Sequence, residues 1–195
     1  MADRGGPDPA PEPFRRAVEA LRSTRLRPEV LLEEAPAPQR LAPFAVALTG
    51  DVEDGDDELA TGRFVLLHDP AGHDTWQGSF RVVTFVRAEL ELELAVDPML
   101  PSVGWAWLEE AMDSRRLTCT ALSGTVTRVT SEAFGTMADR EPTAEIEIRA
   151  SWTALDPGLG PHLEAWADVL CTAAGLPPVA PGVLTMPRPR DRRAR

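Results

Sequence analysis

Residues 143–154 read TAEIEIRASWTA, and their polarity alternates without a break. Ala144, Ile146, Ile148, Ala150, Trp152 and Ala154 share one side of an extended chain. Thr143, Glu145, Glu147, Arg149, Ser151 and Thr153 share the other. Period two predicts a strand with one buried and one wet face, as in an antiparallel sheet. The next segment, DPGLGPHLEAWADVLCTAAGLPP, changes period. Leu159, Leu163, Trp166 and Leu170 make a helical stripe, with Asp156 and Pro157 suited to its start and Gly175 and Pro177 to its end.

The rest of the chain carries weaker versions of these patterns. Phe14, Ala17, Val18 and Leu21 predict a helix in PFRRAVEALRSTRL. RPEVLLEEAPAP reads as a second short helix, opened by Pro28 and closed by Pro36 and Pro38. Strands are expected at 44–48, 61–68 and 78–92, the last two as a hairpin around DPAGHDTW. Residues 99–115 predict a helix. LTCTALSGTVTRVTS (117–131) predicts a strand or a bulged pair, with Gly124 as the irregular point. The order strand, strand, helix occurs twice, and FVRAEL (85–90) echoes EIRASW (147–152). The fold class is therefore α+β: an antiparallel sheet of five or six strands, helices on one face, with a ββα duplication as an option.

Length and composition add boundaries. The 195 residues fit one domain over 12–180, between a disordered start (1–11) and a disordered tail (181–195). Lys and Tyr are absent, the residue usage of a GC-rich genome. The net charge of −11 disfavours broad contact with nucleic acid or anionic membrane. The last ten residues, MPRPRDRRAR, run the other way, with five arginines and one aspartate. Arg188, Arg190, Arg192, Arg193 and Arg195 are thus candidate contacts to RNA or another anion. Cys119 and Cys171 form no CxxC, and no signal peptide or membrane-length apolar run stands out. These features predict a cytoplasmic protein with reduced thiols.

Candidate chemistry is sparse. His68, Asp69, His73 and Asp74 combine imidazole with carboxylate, a pairing that suits Zn, Fe or Mn. Pro70, Ala71 and Gly72 between them are turn residues, and the one other histidine, His162, belongs to a helix. The favoured reading is an exposed polar hairpin tip rather than a metal site. Asp51, Glu53, Asp54, Asp56, Asp57 and Glu58 read as a solvated turn; an EF-hand is excluded because Gly55 stands at a ligand position. Arg15, Arg16, Arg22, Arg25 and Arg27 could meet phosphate, but pairing with the chain's own carboxylates is favoured. Trp105 and Trp107 point about 200° apart around a helix. One of them is expected at the surface unless the helix is sandwiched or begins after Trp105, which makes both candidate protein contacts. No nucleotide-binding or hydrolase-elbow motif is present.

Several stretches together resemble a known family: FRRAVEALRSTRLRPEVLLEEAPAPQRLAPFAVAL, LATGRFVLLHDPAGHDTWQGSFRVVTFVRAELE, the DPML and GW-WL segments at 97–108, and SGTVTRVTSEAFGTMAD. They are similar to an actinobacterial domain-of-unknown-function family, numbered three thousand, from about Phe14 to Trp152. The resemblance implies a genomic setting near ribonuclease D and uroporphyrinogen decarboxylase; it implies no catalytic residue. The sequence alone favours a non-enzymatic interaction or adaptor module with a protein partner and no cofactor. Its rivals are an RNA-processing accessory using the arginine tail and a small-molecule or metal-dependent enzyme.

Overall fold

The computed structural model describes residues 10–178, apart from 56 and 157. The alternating segment is strand β6 (Thr143–Ala154), with the pattern the sequence predicts: its even positions are buried. It lies between β4 (Gly78–Leu90) and β5 (Cys119–Ser131). The other strands are β1 (Val30–Ala35), β2 (Phe44–Asp54) and β3 (Asp57–His73). All six form one sheet in the order β1-β2-β3-β4-β6-β5, and every pairing is antiparallel. The class is α+β.

β1 corrects the expectation of a helix at 28–38. Its apolar run pairs residue for residue with β2, from Val30 against Val52 to Ala35 against Ala47. Leu and Glu favour helices only weakly, and a waiting sheet edge outweighs that preference. The prolines that were to bound a helix bound a short edge strand instead.

The described residues also form four α-helices: α1 (Glu12–Ser23), the single turn α2 (Leu92–Ala95), α3 (Leu100–Ser114) and α4 (Gly160–Ala173). The three longer ones share one core with one face of the sheet. Phe14 and Leu21 of α1, Leu108 and Met112 of α3, and Leu163 and Leu170 of α4 pack with Phe64, Leu66, Val82, Ile146 and Trp152. α4 lies against α1, α3 and the strands, so it is buried on most sides. Its start also differs from expectation. A first-turn proline is Pro161, Pro157 lies outside the described residues, and Asp156 accepts the backbone N–H of Thr118 at 2.7 Å rather than capping the helix. Its end is as predicted, with Gly175 at φ 75° and the Leu176 amide bonded back to the Cys171 carbonyl.

The strand–strand–helix order does occur twice, as β3–β4–α3 and β5–β6–α4. β4 and β6 pair at the centre, and α3 packs on α4. The irregularity in β5 falls at Ala121 (φ 51°), where the register with β6 shifts between Thr120 and Ser123. Gly124 has another purpose. A side chain there would strike the Arg149 carbonyl oxygen and come within 2.6 Å of the Trp105 ring.

Candidate functional site

The helices leave the second face of the sheet to other means of cover. At one end, residues from the β1–β2 connection and Trp76 close over Ala47, Val65 and Leu67. Beyond that small cluster the described residues leave the face open. Two cross-strand rows define it. One runs Thr49, Arg63, Phe85, Arg149, Thr125, and the next runs Ala47, Val65, Val83, Ser151, Ser123. Their central members line a trough of about 520 Å³. Its floor is apolar, from Val65, Val83 and Phe85, and Ser123, Thr125 and Ser151 add hydroxyls along the β5 side.

The two arginines give the trough its chemistry. Arg149 lays its guanidinium 4.9 Å above the centre of the Phe85 ring, and its Nη1 sits 2.7 Å from Glu147. Stacking of this kind holds a cation over an apolar floor while its edge stays open to hydrogen bonds. Arg63 flanks Phe85 from the other strand and donates to the Pro36 carbonyl. Arg81 lies one row beyond Val83 and Ser151, opposite Thr153. It donates to the Ala121 carbonyl at 2.9 Å and to the hydroxyls of Ser151 and Thr153 at 2.6 and 3.3 Å. Partial burial pushes its guanidinium below the ordinary arginine range. At the opposite end, one row beyond Phe85, Arg87 is held by both carboxylate oxygens of Glu145. In a chain of net charge −11, the residues lining the trough include two arginines and no carboxylate.

The residues singled out in the sequence lie elsewhere. His68 corrects the expectation of an exposed tip. It is buried, stacked 4.1 Å from Phe80 and also against Phe14, with Nδ1 3.0 Å from the Ser79 carbonyl oxygen. His73 does lie at the exposed tip, stacked on Trp76. One histidine therefore faces the core while the other faces solvent. Asp69 accepts the Ala71 amide at 3.0 Å, the turn role expected of it. Asp74 is exposed near His73. Among the described residues no three His, Cys, Asp or Glu side chains converge on a metal-sized point.

Of the acidic cluster, Asp56 lies outside the described residues; the others belong to the β2–β3 hairpin, where Gly55 (φ 73°) makes the turn and Asp51 accepts the Thr61 hydroxyl. Of the N-terminal arginines, Arg16 pairs with Glu12, Arg22 with Glu34 and Arg27 with Glu29, while Arg15 donates to the Ala10 carbonyl. Trp105 and Trp107 are both half-buried and pack against the core, because α3 is flanked by β5 and α4. The Trp105 indole N–H donates to Glu109 at 3.0 Å. Neither indole stands free in solvent. Arg188, Arg190, Arg192, Arg193 and Arg195 lie outside the described residues.

His162 forms a second, buried arrangement. Trp152 Nε1 donates to its Nδ1 at 3.0 Å, and its Nε2 lies 3.4 Å from Asp156. Burial holds the imidazole below its usual pKa, against the pull of Asp156. Cys119 lies close enough to sense Asp156, and burial together with that charge raises its thiol pKa. A thiol held protonated is a poor nucleophile. Burial pushes Cys171 up to about 11.

Sequence reasoning missed the trough. Arg63, Phe85 and Arg149 are far apart in the chain and carry no motif. Only the register of β3, β4 and β6 aligns them.

The fold and site define a class: an α+β protein with one antiparallel sheet, helices on one face and an arginine-lined trough on the other. Within that class the chain belongs to a family of unknown function, DUF3000, whose profile matches residues 10–184. No curated relative and no solved structure matches it. No helix among the described residues is long and apolar enough to cross a membrane.

Proposed function

We propose that the chain is a cytoplasmic, non-enzymatic binding module whose recognition surface is the trough on the helix-free face. The observation that carries this reading is the row Arg63–Phe85–Arg149, with one guanidinium stacked on the aromatic floor and a second arginine on the neighbouring strand. Such a surface suits a partner that presents a carboxylate or other anion next to an apolar group. The hydroxyls of Ser123, Thr125 and Ser151 line the trough with no base among its lining residues, which favours binding over catalysis. Trp105 and Trp107 contribute to the core, so the proposed contact moves from α3 to the sheet.

The test is native purification with and without nuclease, using the wild type and an Arg63→Ala/Arg149→Ala double variant. A stoichiometric protein that survives nuclease and is lost by the variant, at unchanged thermal midpoint, supports the reading. Retention of that protein by the variant moves the contact off the trough. A partner released by nuclease favours the RNA-accessory reading and its arginine tail. Recovery of the wild type alone, carrying stoichiometric metal, favours the enzyme reading.

A further inference from the structure

The sheet has two edges, and they are defended unequally. β1 is six residues long, carries Glu33 and Glu34, and runs between Pro28 and Pro36. Short length, charge and proline are the usual means of keeping a free edge from pairing. β5 is neither short nor interrupted by proline. It is 13 residues long, contains no proline, and its one charged residue is Arg128. That side chain is turned to the helix face, where it donates to the carbonyls of Ala95 and Asp97 at 3.2 and 2.8 Å. From Ser123 to Ser131 the register with β6 is unbroken, so this stretch is a regular strand rather than a bulged one. Ser123, Thr125, Thr127, Thr130 and Ser131 are exposed.

The electrostatics select the occupant. In a chain of net charge −11, most surfaces repel a second copy. The β5 edge does not. Two antiparallel copies centred on Thr127 would place Ser123 opposite Ser131, Thr125 opposite Val129, and Arg128 opposite Val126. No like charges meet, and hydroxyl and β-branched side chains pair well across strands.

We propose that β5 pairs antiparallel with β5 of a second copy about Thr127, so that the two six-stranded sheets become continuous. The pairing has a consequence for the trough, whose outer rim is Ser123 and Thr125. The added strand walls that open side, and the site is completed by the second copy. The edge pairing itself does not depend on what the trough binds.

The experiment is sedimentation equilibrium of the full chain, comparing wild type, Thr127→Lys, Thr127→Glu and an equimolar mixture of the two variants. Thr127 is exposed on the helix-free face, so neither change disturbs the core. The wild type is expected to be a dimer. Each variant alone opposes like charges at the symmetry axis and dissociates at several-fold higher concentration. The mixture opposes unlike charges and recovers the dimer. Amide exchange at 123–131 should slow as wild-type concentration rises. A monomeric wild type, or a dimer indifferent to both charges, overturns the proposal. Loss of the partner in the trough test leaves these outcomes untouched.

Discussion

His162 has its tautomer fixed by a neighbour. Because the Trp152 indole donates to Nδ1, the ring proton of the neutral form sits on Nε2, facing Asp156. Burial lowers the pKa of the folded state, with Asp156 opposing but not cancelling it. The unfolded chain takes up a proton below roughly pH 6.5, while the folded chain resists until lower pH. Stability from this residue is therefore full above the unfolded pKa and declines as pH falls through the window beneath it. Urea midpoints of the wild type should drop between about pH 7.5 and 5.5, and His162→Gln should flatten part of that drop. His68 and His73 remain in both proteins, so the difference between the curves reports His162. If the two curves run parallel, His162 does not titrate in that window.

Among the elements, α4 and the β2–β3 hairpin are fitted to each other by two glycines. Gly50 and Gly62 are cross-strand partners, and the Trp166 ring occupies the space above both. A Cβ at Gly50 would lie 2.6 Å from that ring; one at Gly62 would lie 2.8 Å from it and 2.8 Å from the Phe85 carbonyl oxygen. The same carbonyl accepts the Trp166 indole N–H at 3.1 Å. Trp166→Ala should cost about 3–5 kcal/mol in chemical denaturation. Gly62→Ala should cost roughly 1–3 kcal/mol, because the blocking atom includes backbone and cannot rotate away. A neutral Gly62→Ala would show that the ring can shift in its slot.

At the scale of the whole molecule, charge and sheet edge pull in opposite directions. The net charge of −11 resists association, while β5 is an outer strand of the sheet. Added salt screens the first over about 10 Å at 0.1 M and leaves the second largely unchanged. The dissociation constant of the wild-type dimer should fall as salt rises from low values, which the same sedimentation measurement reads. The trough contact should respond oppositely, since screening weakens an arginine–anion attraction. A dimer that salt weakens would rest on ion pairs, not on the neutral β5 edge.

Much of this architecture could be read along the chain. The alternation over 143–154 became β6, the stripe from Leu159 to Leu170 marked α4, and Phe14, Ala17 and Leu21 marked the buried side of α1. These succeed because the periods of strand and helix are local properties of the backbone. β1 was misread because weak helical preference yields to a partner strand that is distant in sequence. His68 looked like loop chemistry because its neighbours are turn residues, yet β3 continues through it and the strand's pleat turns it toward Phe14. The trough escaped altogether. Its arginines and phenylalanine are placed side by side by the register of three strands, and register is set by packing of the buried face rather than by residues near the site. The sequence by itself determined periods, ends and charge. The tertiary structure decided which side chains meet, because contact across a sheet depends on pairing between segments remote along the chain.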